Sequence, residues 1–227
     1  VQGPRRVGMY CSPGKHGLLD REAWWARGEP CEVVAAYGID PVSFMVAAQS
    51  YSADTPELDI IGGLTGMPME LTKGVATSLP IPARAEIVIE GTVVQGDVAM
   101  EGPLGEFTGY YGPQRWSPVI KVKAITYRKD PIYLNILCGA ADTSILGGIP
   151  KEAGIYEEIK RAVPNVKAVH FPISGTCRFH AYISIDKKVD GEGMVAAMAA
   201  FPHHDELKHV WVVDADIDVF NERDVLW

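Results

Sequence analysis

The chain has 227 residues, of which 47% are hydrophobic and 22% charged, and its formal net charge is −8 at pH 7. This length suits one large domain or two small ones, and the composition is typical of a globular chain with a sizeable core. The acidic balance argues against a nucleic-acid partner or a polybasic membrane contact, and no apolar run is long enough to span a bilayer. We therefore expect neither nucleic acid nor membrane as a partner.

The four cysteines are far apart in the sequence and form no CxxC pair. This distribution fits unpaired thiols in a reducing compartment better than a disulfide framework or a zinc site, so we expect a cytoplasmic protein. The chain begins at Val1 without a methionine and stops at Trp227. Both ends look like cuts, which suggests part of a longer polypeptide.

Helix signals recur along the chain. Thr55 is a good N-cap, Pro56 suits the first helical position, and Glu57 falls in the first turn, where the helix dipole favours a carboxylate. This helix should end near Gly62 or Gly66. The other segments with a helical pattern are 17–27, 150–163 and 192–201.

Strand signals are more numerous and come in long runs bounded by Gly or Pro. In CRFHAYISI, residues 177–185, apolar side chains alternate strictly, which places them on one face of a strand. The predicted strands are 31–36, 86–94, 118–127, 132–138, 177–185 and 209–213. Such runs predict an α+β fold with an antiparallel sheet or barrel rather than a doubly wound sheet.

Familiar nucleotide and hydrolase motifs are missing, since no strand is followed by a Walker lysine loop or GxGxxG, and no GxSxG elbow occurs. The run 203–206 (HHDE) and the alternating Asp214, Asp216 and Asp218 offer cation ligands, but turn chemistry is the commoner outcome for both. His180 lies on the polar face of its predicted strand, and we interpret it as a surface or sheet-packing residue.

The segment EGPLGEFTGYYG, residues 101–112, holds two carboxylates five positions apart. In a regular strand or helix this spacing directs Glu101 and Glu106 away from each other. Pro103 removes a backbone donor and Gly105 permits a positive φ, so we expect a bent loop. A loop can aim both carboxylates at one point. A solvated acidic turn is the alternative that the spacing alone favours.

Four segments together resemble the UbiD family of reversible decarboxylases, which use prenylated flavin mononucleotide (prFMN). The segments are AEIVIEGTV (85–93), EGPLGEFTGYY (101–111), PVIKVKAIT (118–126) and VVDADIDVFNERDVLW (212–227). The resemblance covers nearly the whole chain and implies a split β-barrel, flavin-reductase-like cofactor-binding domain with flanking helices over residues 1–213. Residues 214–227 would begin the connection to an absent C-terminal oligomerisation domain, through which a homo-oligomer is expected.

The resemblance also implies roles for individual residues. Glu101 matches a glutamate of an ionic network, and Glu106 matches the acid, with an arginine between them. His16 and Glu57 match ligands of a divalent metal, manganese or magnesium, that bridges the flavin phosphate. Lys15 adjoins His16 in the same turn and is expected to contact the cofactor. A monovalent cation such as potassium is a further expected ligand.

The sequence departs from the family pattern around RRVGMY, residues 5–10. Arg6 occupies the position of the family's metal-binding asparagine, and Cys11 stands where the network arginine should follow Tyr10. A strand-and-turn segment of the family is missing at this point. Either the chain has lost part of its site, or a segment between Tyr10 and Cys11 is omitted. We favour omission, because a protein that kept both glutamates and the histidine would gain little by losing their partner.

These observations lead to the interpretation of a UbiD-like non-oxidative decarboxylase of an aromatic or α,β-unsaturated carboxylic acid. The cofactor would act as the electron sink, and Glu106 would deliver a proton to carbon. The alternative is a catalytically incomplete binding subunit or fragment of a multi-chain (de)carboxylase.

Overall fold

The computed structural model describes residues 1–10, 16–49, 51–52 and 54–227. The contacts divide the chain into two compact units. The N-terminal unit consists of Val1–Gly105 and Tyr110–Ile136, and the C-terminal unit consists of Glu106–Gly109 and Leu137–Trp227. The loop 101–112 therefore contributes residues to both units.

The N-terminal unit is built around two long antiparallel strands. Its described elements are, in chain order, β1 (Arg6–Gly8), α1 (His16–Ala26), β2 (Cys31–Tyr37), α2 (Pro41–Ala47), α3 (Glu57–Thr65), β3 (Leu71–Lys73), β4 (Pro80–Pro82), β5 (Ile87–Glu101) and β6 (Arg115–Tyr127). The main sheet has the order β1–β6–β5–β2, with every neighbouring pair antiparallel. The β3 and β4 strands form a separate two-stranded ribbon.

The α+β class predicted from the sequence is confirmed, but the split β-barrel is not. Within the described residues the four-stranded sheet is open, because β1 and β2 form its two edges and do not pair with each other. A closed barrel would require the edge strands to find partners. The β-branched residues of each segment predicted where strands form. Closure of a barrel depends on pairing between strands that are far apart in the sequence, and local composition does not determine that pairing.

Helix α1 packs on the sheet through two adjacent tryptophans. Trp24 and Trp25 lie against a core of Cys31, Val93 and Ile120. The Trp25 indole N–H also donates a hydrogen bond to the carbonyl oxygen of Val93 at 3.2 Å. The helix that the sequence predicted over 17–27 is therefore confirmed to within one residue at each end, and its packing fixes where its first residue lies.

Helix α3 begins at Glu57 and ends at Thr65. Pro56 occupies the N-cap position without a side-chain hydrogen bond, so the prediction that Thr55 caps this helix is wrong. The predicted end near Gly66 is confirmed, since this residue adopts φ +72°, a left-handed conformation that glycine reaches without a steric cost.

A buried carboxylate fixes the loop between β3 and β4. Glu90 is completely buried, and its carboxylate accepts hydrogen bonds from the backbone N–H groups of Val75, Ala76 and Thr77 and from the Thr77 hydroxyl, all at 2.9–3.0 Å. A Cβ atom added to Gly74 would lie 2.4 Å from Glu90 Oε2, so glycine permits this approach. Burial alone would raise the pKa of Glu90, but the hydrogen bonds outweigh burial and hold the pKa below its usual range.

The C-terminal unit is a three-stranded sheet covered by helices. Its regular elements are α4 (Ala141–Ala162), β7 (Val166–His170), β8 (His180–Ile185), α5 (Glu192–Ala200), β9 (His209–Asp214) and α6 (Glu222–Leu226). The central strand β8 pairs antiparallel with β7 and parallel with β9. Ala181, Ile183 and Ile185 enter the main core, whereas Tyr182 packs on the opposite face.

Three sequence predictions for the second half of the chain are corrected by the structure. The segment 132–138 forms no strand; its apolar side chains are largely exposed, and the Ile132 N–H donates to Glu86 Oε2 at 3.1 Å. Helix α4 begins at Ala141 and contains Pro150, where the sequence predicted its start. Strand β8 begins at His180 rather than at residue 177. None of the helices in the described ranges is both long and apolar enough to cross a bilayer.

We expect Glu90→Gln to lower the free energy of unfolding of the N-terminal unit by about 3 kcal/mol at neutral pH, because an amide cannot accept from every donor in this loop. The pKa of Glu90 is lower in the folded than in the unfolded chain, so its stabilisation is complete above the ordinary carboxyl pKa of about 4.3 and is lost as the pH falls through the folded value. Thermal unfolding of both proteins between pH 7 and pH 3 should show their Tm difference shrinking at the acid end.

The control is Glu70→Gln, which alters an exposed carboxylate paired with Arg84 at 3.3 Å and should leave Tm almost unchanged. A Tm difference for Glu90→Gln that stays constant down to pH 3 would contradict the role assigned to the charge.

Candidate active site

Two helices of the N-terminal unit begin with the residues that the family resemblance assigned to one metal. His16 is the first residue of α1, and Glu57 is the first residue of α3. His16 Nδ1 lies 3.6 Å from Glu57 Oε1, and both side chains are partly exposed. Two such donors, each roughly 2.0–2.2 Å from a shared ion, can be about 3–4 Å apart. The pair can therefore chelate one divalent cation, and the role itself stays a prediction.

Tyr51 lies close enough to Glu57 for the two side chains to interact electrostatically. Burial raises the pKa of the Tyr51 phenol, and the negative charge of Glu57 raises it further. Tyr51 therefore remains a neutral hydrogen-bonding group at physiological pH. Tyr51 lies in an irregular stretch between α2 and α3 and belongs to no recognisable motif, so the sequence alone does not indicate its proximity to Glu57.

Arg6, which stands at the position of the family's metal-binding asparagine, is engaged in an ion pair. Its guanidinium donates two hydrogen bonds to the Asp97 carboxylate at 2.7 and 3.1 Å, and Lys121 Nζ lies 3.4 Å from the same carboxylate. The hydrogen bond from Arg6 holds the pKa of Asp97 below its usual range. We therefore assign Arg6 a structural role that ties β1 to β5. Lys15 and Cys11, which the resemblance placed at the site, lie outside the described residues.

The Glu101 carboxylate lies against the backbone of β1. Glu101 is the last residue of β5, and a Cβ atom added to Gly8 would be only 1.6 Å from Glu101 Oε1. Only glycine leaves room for the carboxylate at this point. The Gln2 side-chain amide donates to Glu101 Oε1 at 2.6 Å and to the Met100 carbonyl oxygen at 2.9 Å. These contacts orient Glu101 in its half-buried position.

A cation lies opposite Glu101 in the sheet. Arg115 is the direct partner of Glu101 in the β5–β6 ladder, and its guanidinium lies 4.3 Å from the centre of the Tyr10 ring. Such stacking is a cation–π interaction. The buried Tyr10 hydroxyl has no hydrogen-bond partner among the residues that the structure describes. The family resemblance predicts an arginine directly after Tyr10. The position of Arg115 follows only from the register of the two strands.

The loop that carries both glutamates is bent, as predicted, but not through Gly105. Positive φ angles occur at Gly102 (+94°) and Gly109 (+80°). Gly105 instead forms an isolated antiparallel bridge with Tyr111, so its predicted role is wrong. The Gly102–Pro103 peptide bond is cis.

Glu106 belongs to the C-terminal unit and is half-buried there. It opens a turn in which the Gly109 N–H donates to the Glu106 carbonyl oxygen at 3.0 Å. The two carboxylates of the loop therefore take their positions from different units: Glu101 from the sheet and Glu106 from the C-terminal unit.

The other polar clusters of the sequence have mixed outcomes. The expected solvated turn at 203–206 is wrong for His204, which is buried, with Nδ1 3.6 Å from Asp205 Oδ1. Turn chemistry is confirmed at Asp218, whose carboxylate accepts from the Phe220 N–H at 3.0 Å. His180 packs on the sheet as predicted, with its ring centre 5.2 Å from those of His209 and Trp211.

Family models match both units of the chain. The model of the 3-octaprenyl-4-hydroxybenzoate carboxy-lyase Rift-related domain matches residues 1–141, and the model of the C-terminal domain of the same carboxy-lyase matches residues 144–227. The chain therefore belongs to the UbiD family. The domain boundary that the sequence suggested after residue 213 falls inside the second match.

Several relatives of this chain are decarboxylases by name. It is 35% identical to the anhydromevalonate phosphate decarboxylase of Methanothermobacter thermautotrophicus over 88% of this chain and 47% of the relative. It is 31% identical to the phenolic acid decarboxylase of Bacillus subtilis over 100% of this chain and 49% of the relative. The chain thus spans about half the length of these curated relatives.

Solved structures of UbiD-class enzymes share the fold. An evolved dimeric form of HmfF from Pelotomaculum thermopropionicum, in complex with prFMN, superimposes with a TM-score of 0.95 at 38% identity, over 100% of this chain and 53% of that one. The apo 3,4-dihydroxybenzoic acid decarboxylase AroY of Klebsiella pneumoniae gives a TM-score of 0.91 at 32% identity, over 100% and 50%. HmfF has been solved in complex both with prFMN and with FMN.

We expect His16→Ala and Glu57→Ala each to weaken Mn²⁺ binding in the presence of FMN by more than about tenfold, a loss typical even of partners outside the ligand shell. Each substitution removes one of the two donors that lie 3.6 Å apart. Titration of free Mn²⁺ by electron paramagnetic resonance measures the affinity.

Glu29→Gln, which changes an exposed carboxylate paired with Arg27 at 3.4 Å, is the matched control and should bind Mn²⁺ like the unaltered chain. Unchanged affinity in both ligand variants would show that this pair holds no metal.

Proposed function

We propose that this chain is the cofactor-binding and proton-donating part of a UbiD-like decarboxylase that acts on an aromatic or α,β-unsaturated carboxylic acid with prFMN. The observation that carries the proposal is the 3.6 Å approach of His16 to Glu57, since two residues distant in the sequence and assigned to one metal by the resemblance meet in space. Family membership and the decarboxylase relatives support the reaction class. A homo-oligomer in the cytoplasm belongs to the same proposal.

The described residues fit such a cofactor at two places in the N-terminal unit. The His16 and Glu57 donors suit Mn²⁺ or Mg²⁺ beside a phosphate, and both begin helices whose N-terminal N–H groups favour an anion. The Tyr10 hydroxyl has no hydrogen-bond partner among the described residues, and the Tyr10 ring lies under Arg115, so the two residues offer a hydrogen-bonding group and a positive charge. When bound, prFMN would supply the sink for the electron pair that the departing carbon dioxide leaves behind.

The two glutamates would divide the proton chemistry between them. As the bond between the substrate carbon and its carboxylate breaks, the electron pair stays with the substrate carbon. Glu106 would donate a proton to that carbon, forming the new C–H bond, and would regain a proton from water after turnover. Glu101, fixed by Gln2 and by its contact with Gly8, would take the place in the ionic network that the resemblance assigns to it.

A binding subunit without activity of its own is the second candidate. It is favoured by Cys11, which stands at the position that the resemblance assigns to the network arginine. Purified chain supplied with prFMN and Mn²⁺ separates the two. Release of carbon dioxide from cinnamic acid or 3,4-dihydroxybenzoic acid supports the enzyme, and flavin binding without turnover of a broader acid panel supports the subunit.

We expect Glu106→Gln to reduce turnover by at least about 100-fold while flavin binding stays within about twofold, because general acid catalysis typically contributes 10²–10⁴-fold. Carbon dioxide release and flavin absorbance measure the two properties on one sample. Glu157→Gln, an exposed glutamate on α4, is the control and should retain both. Equal loss of flavin binding and turnover in Glu106→Gln would refute the role of proton donor.

A further inference from the structure

Phe107, the residue next to Glu106, is held by two side chains of the C-terminal unit. The Arg178 guanidinium carbon lies 4.3 Å from the centre of the Phe107 ring. The Phe179 ring is tilted against it, with the ring centres 5.6 Å apart and the planes at 50°. Phe107 is half-buried by these contacts. An aromatic side chain with both a cation and a second ring against it has few alternative rotamers, so the adjacent backbone is restrained too.

Arg178 is itself held in place. Its Nη1 donates to Glu206 Oε2 at 3.0 Å, and its side chain is only 20% exposed. A Cβ atom added to Gly147 of α4 would lie 3.0 Å from Arg178 Nη2, so the guanidinium packs closely on the helix backbone. The planar guanidinium is therefore a preformed platform for the Phe107 ring rather than a mobile surface charge.

The backbone leading to Arg178 is strained. Thr176 and Cys177 adopt φ angles of +56° and +54°, which are uncommon for residues other than glycine. The strain is maintained by hydrogen bonds from the N–H groups of Arg178 and Phe179 to the Gly175 carbonyl oxygen at 3.0 and 2.8 Å. This turn directly precedes β8 and brings both Arg178 and Phe179 into contact with Phe107. Strain of this kind clusters at sites with a function.

The segment Glu106–Gly109 has a second close contact at its other end, Gly109. Gly139 has φ +79°, and a Cβ atom added to it would lie 3.6 Å from Gly109 Cα. The short segment Glu106–Gly109 is therefore restrained at Phe107 by Arg178 and Phe179, and at Gly109 its backbone lies close to that of Gly139.

We propose that Arg178 is a positioning residue that sets the place of Glu106 by stacking on Phe107. The inference rests on the proposed function, because it assumes that Glu106 donates the proton. Arg178 does not have to contact substrate or cofactor in this role. Its loss leaves the acid in the chain but frees the segment that carries it, and misplacement of a reacting group by about 1 Å can cost on the order of 100-fold in rate.

The first test uses the chain without cofactor. Arg178→Ala should raise the hydrogen–deuterium exchange rate of the backbone amides of residues 107–109 by at least about tenfold, with little change in the strands of the N-terminal unit. Arg161→Ala, which removes a guanidinium paired with Glu158 at 2.6 Å on α4, is the control and should leave exchange in 107–109 unchanged.

The second test uses the chain loaded with prFMN and Mn²⁺. Arg178→Ala should lower kcat by roughly tenfold or more while KM changes by less than about twofold, since binding groups are intact and only the acid is misplaced. Arg178→Lys keeps the charge but not the planar stack and should recover only part of the rate. Phe107→Leu should reproduce the loss, and the double variant should be no worse than either single one.

The outcomes separate the two proposals. Faster exchange in 107–109 together with reduced kcat supports the positioning role. Unchanged exchange in Arg178→Ala, or full activity in both Arg178→Ala and Phe107→Leu, overturns it. Faster exchange in a chain that binds flavin but decarboxylates nothing refutes the proposed function instead, while the restraint of the segment by Arg178 stands. If Arg178→Ala does not fold, Phe107→Leu and Arg178→Lys decide the question by the same measurements.

Discussion

The β5–β6 ladder holds the N-terminal unit together, and most of its functional geometry follows from that pairing. Fifteen residues of β5 lie beside thirteen of β6, and each strand also supports an edge strand of the sheet. The ladder places Arg115 opposite Glu101 and leaves Gly8 of β1 under the Glu101 carboxylate. Because α1 packs its tryptophans on the same strands, the ladder also fixes the position of His16 at the start of that helix.

Three carboxylates along β5 show how environment decides what a side chain can do. Glu90 is buried among backbone donors, and Asp97 is neutralised by Arg6 and Lys121, so both serve structure. Glu101 ends the strand, half-buried, with an amide of Gln2 as a partner. A carboxylate held in this way has a defined orientation while remaining accessible to a further ligand. Carboxylates of one strand thus have a structural role at Glu90 and Asp97 and form a candidate active-site group at Glu101.

Local sequence patterns predicted the parts of this protein that depend on neighbours in the chain. Helix α1 and the end of α3 follow from local pattern and glycine chemistry. The motif resemblance assigned His16 and Glu57 to one metal, and the two side chains lie 3.6 Å apart. Features set by distant partners escaped the same reasoning. The register that opposes Arg115 to Glu101 and the open sheet are long-range outcomes. The segment 132–138 has the composition of a strand, but it pairs with no strand among the described residues.

Gly8 offers a way to sort sequences of this family without a structure. The Glu101 carboxylate occupies the space where any other residue at position 8 would place its Cβ atom, only 1.6 Å from Glu101 Oε1. A relative that carries alanine or a larger residue there must turn its glutamate elsewhere, however well the loop 101–112 is kept. The presence of both loop glutamates is therefore an incomplete signature of a working site. A glycine at the end of a short edge strand, inconspicuous in the sequence, completes that signature.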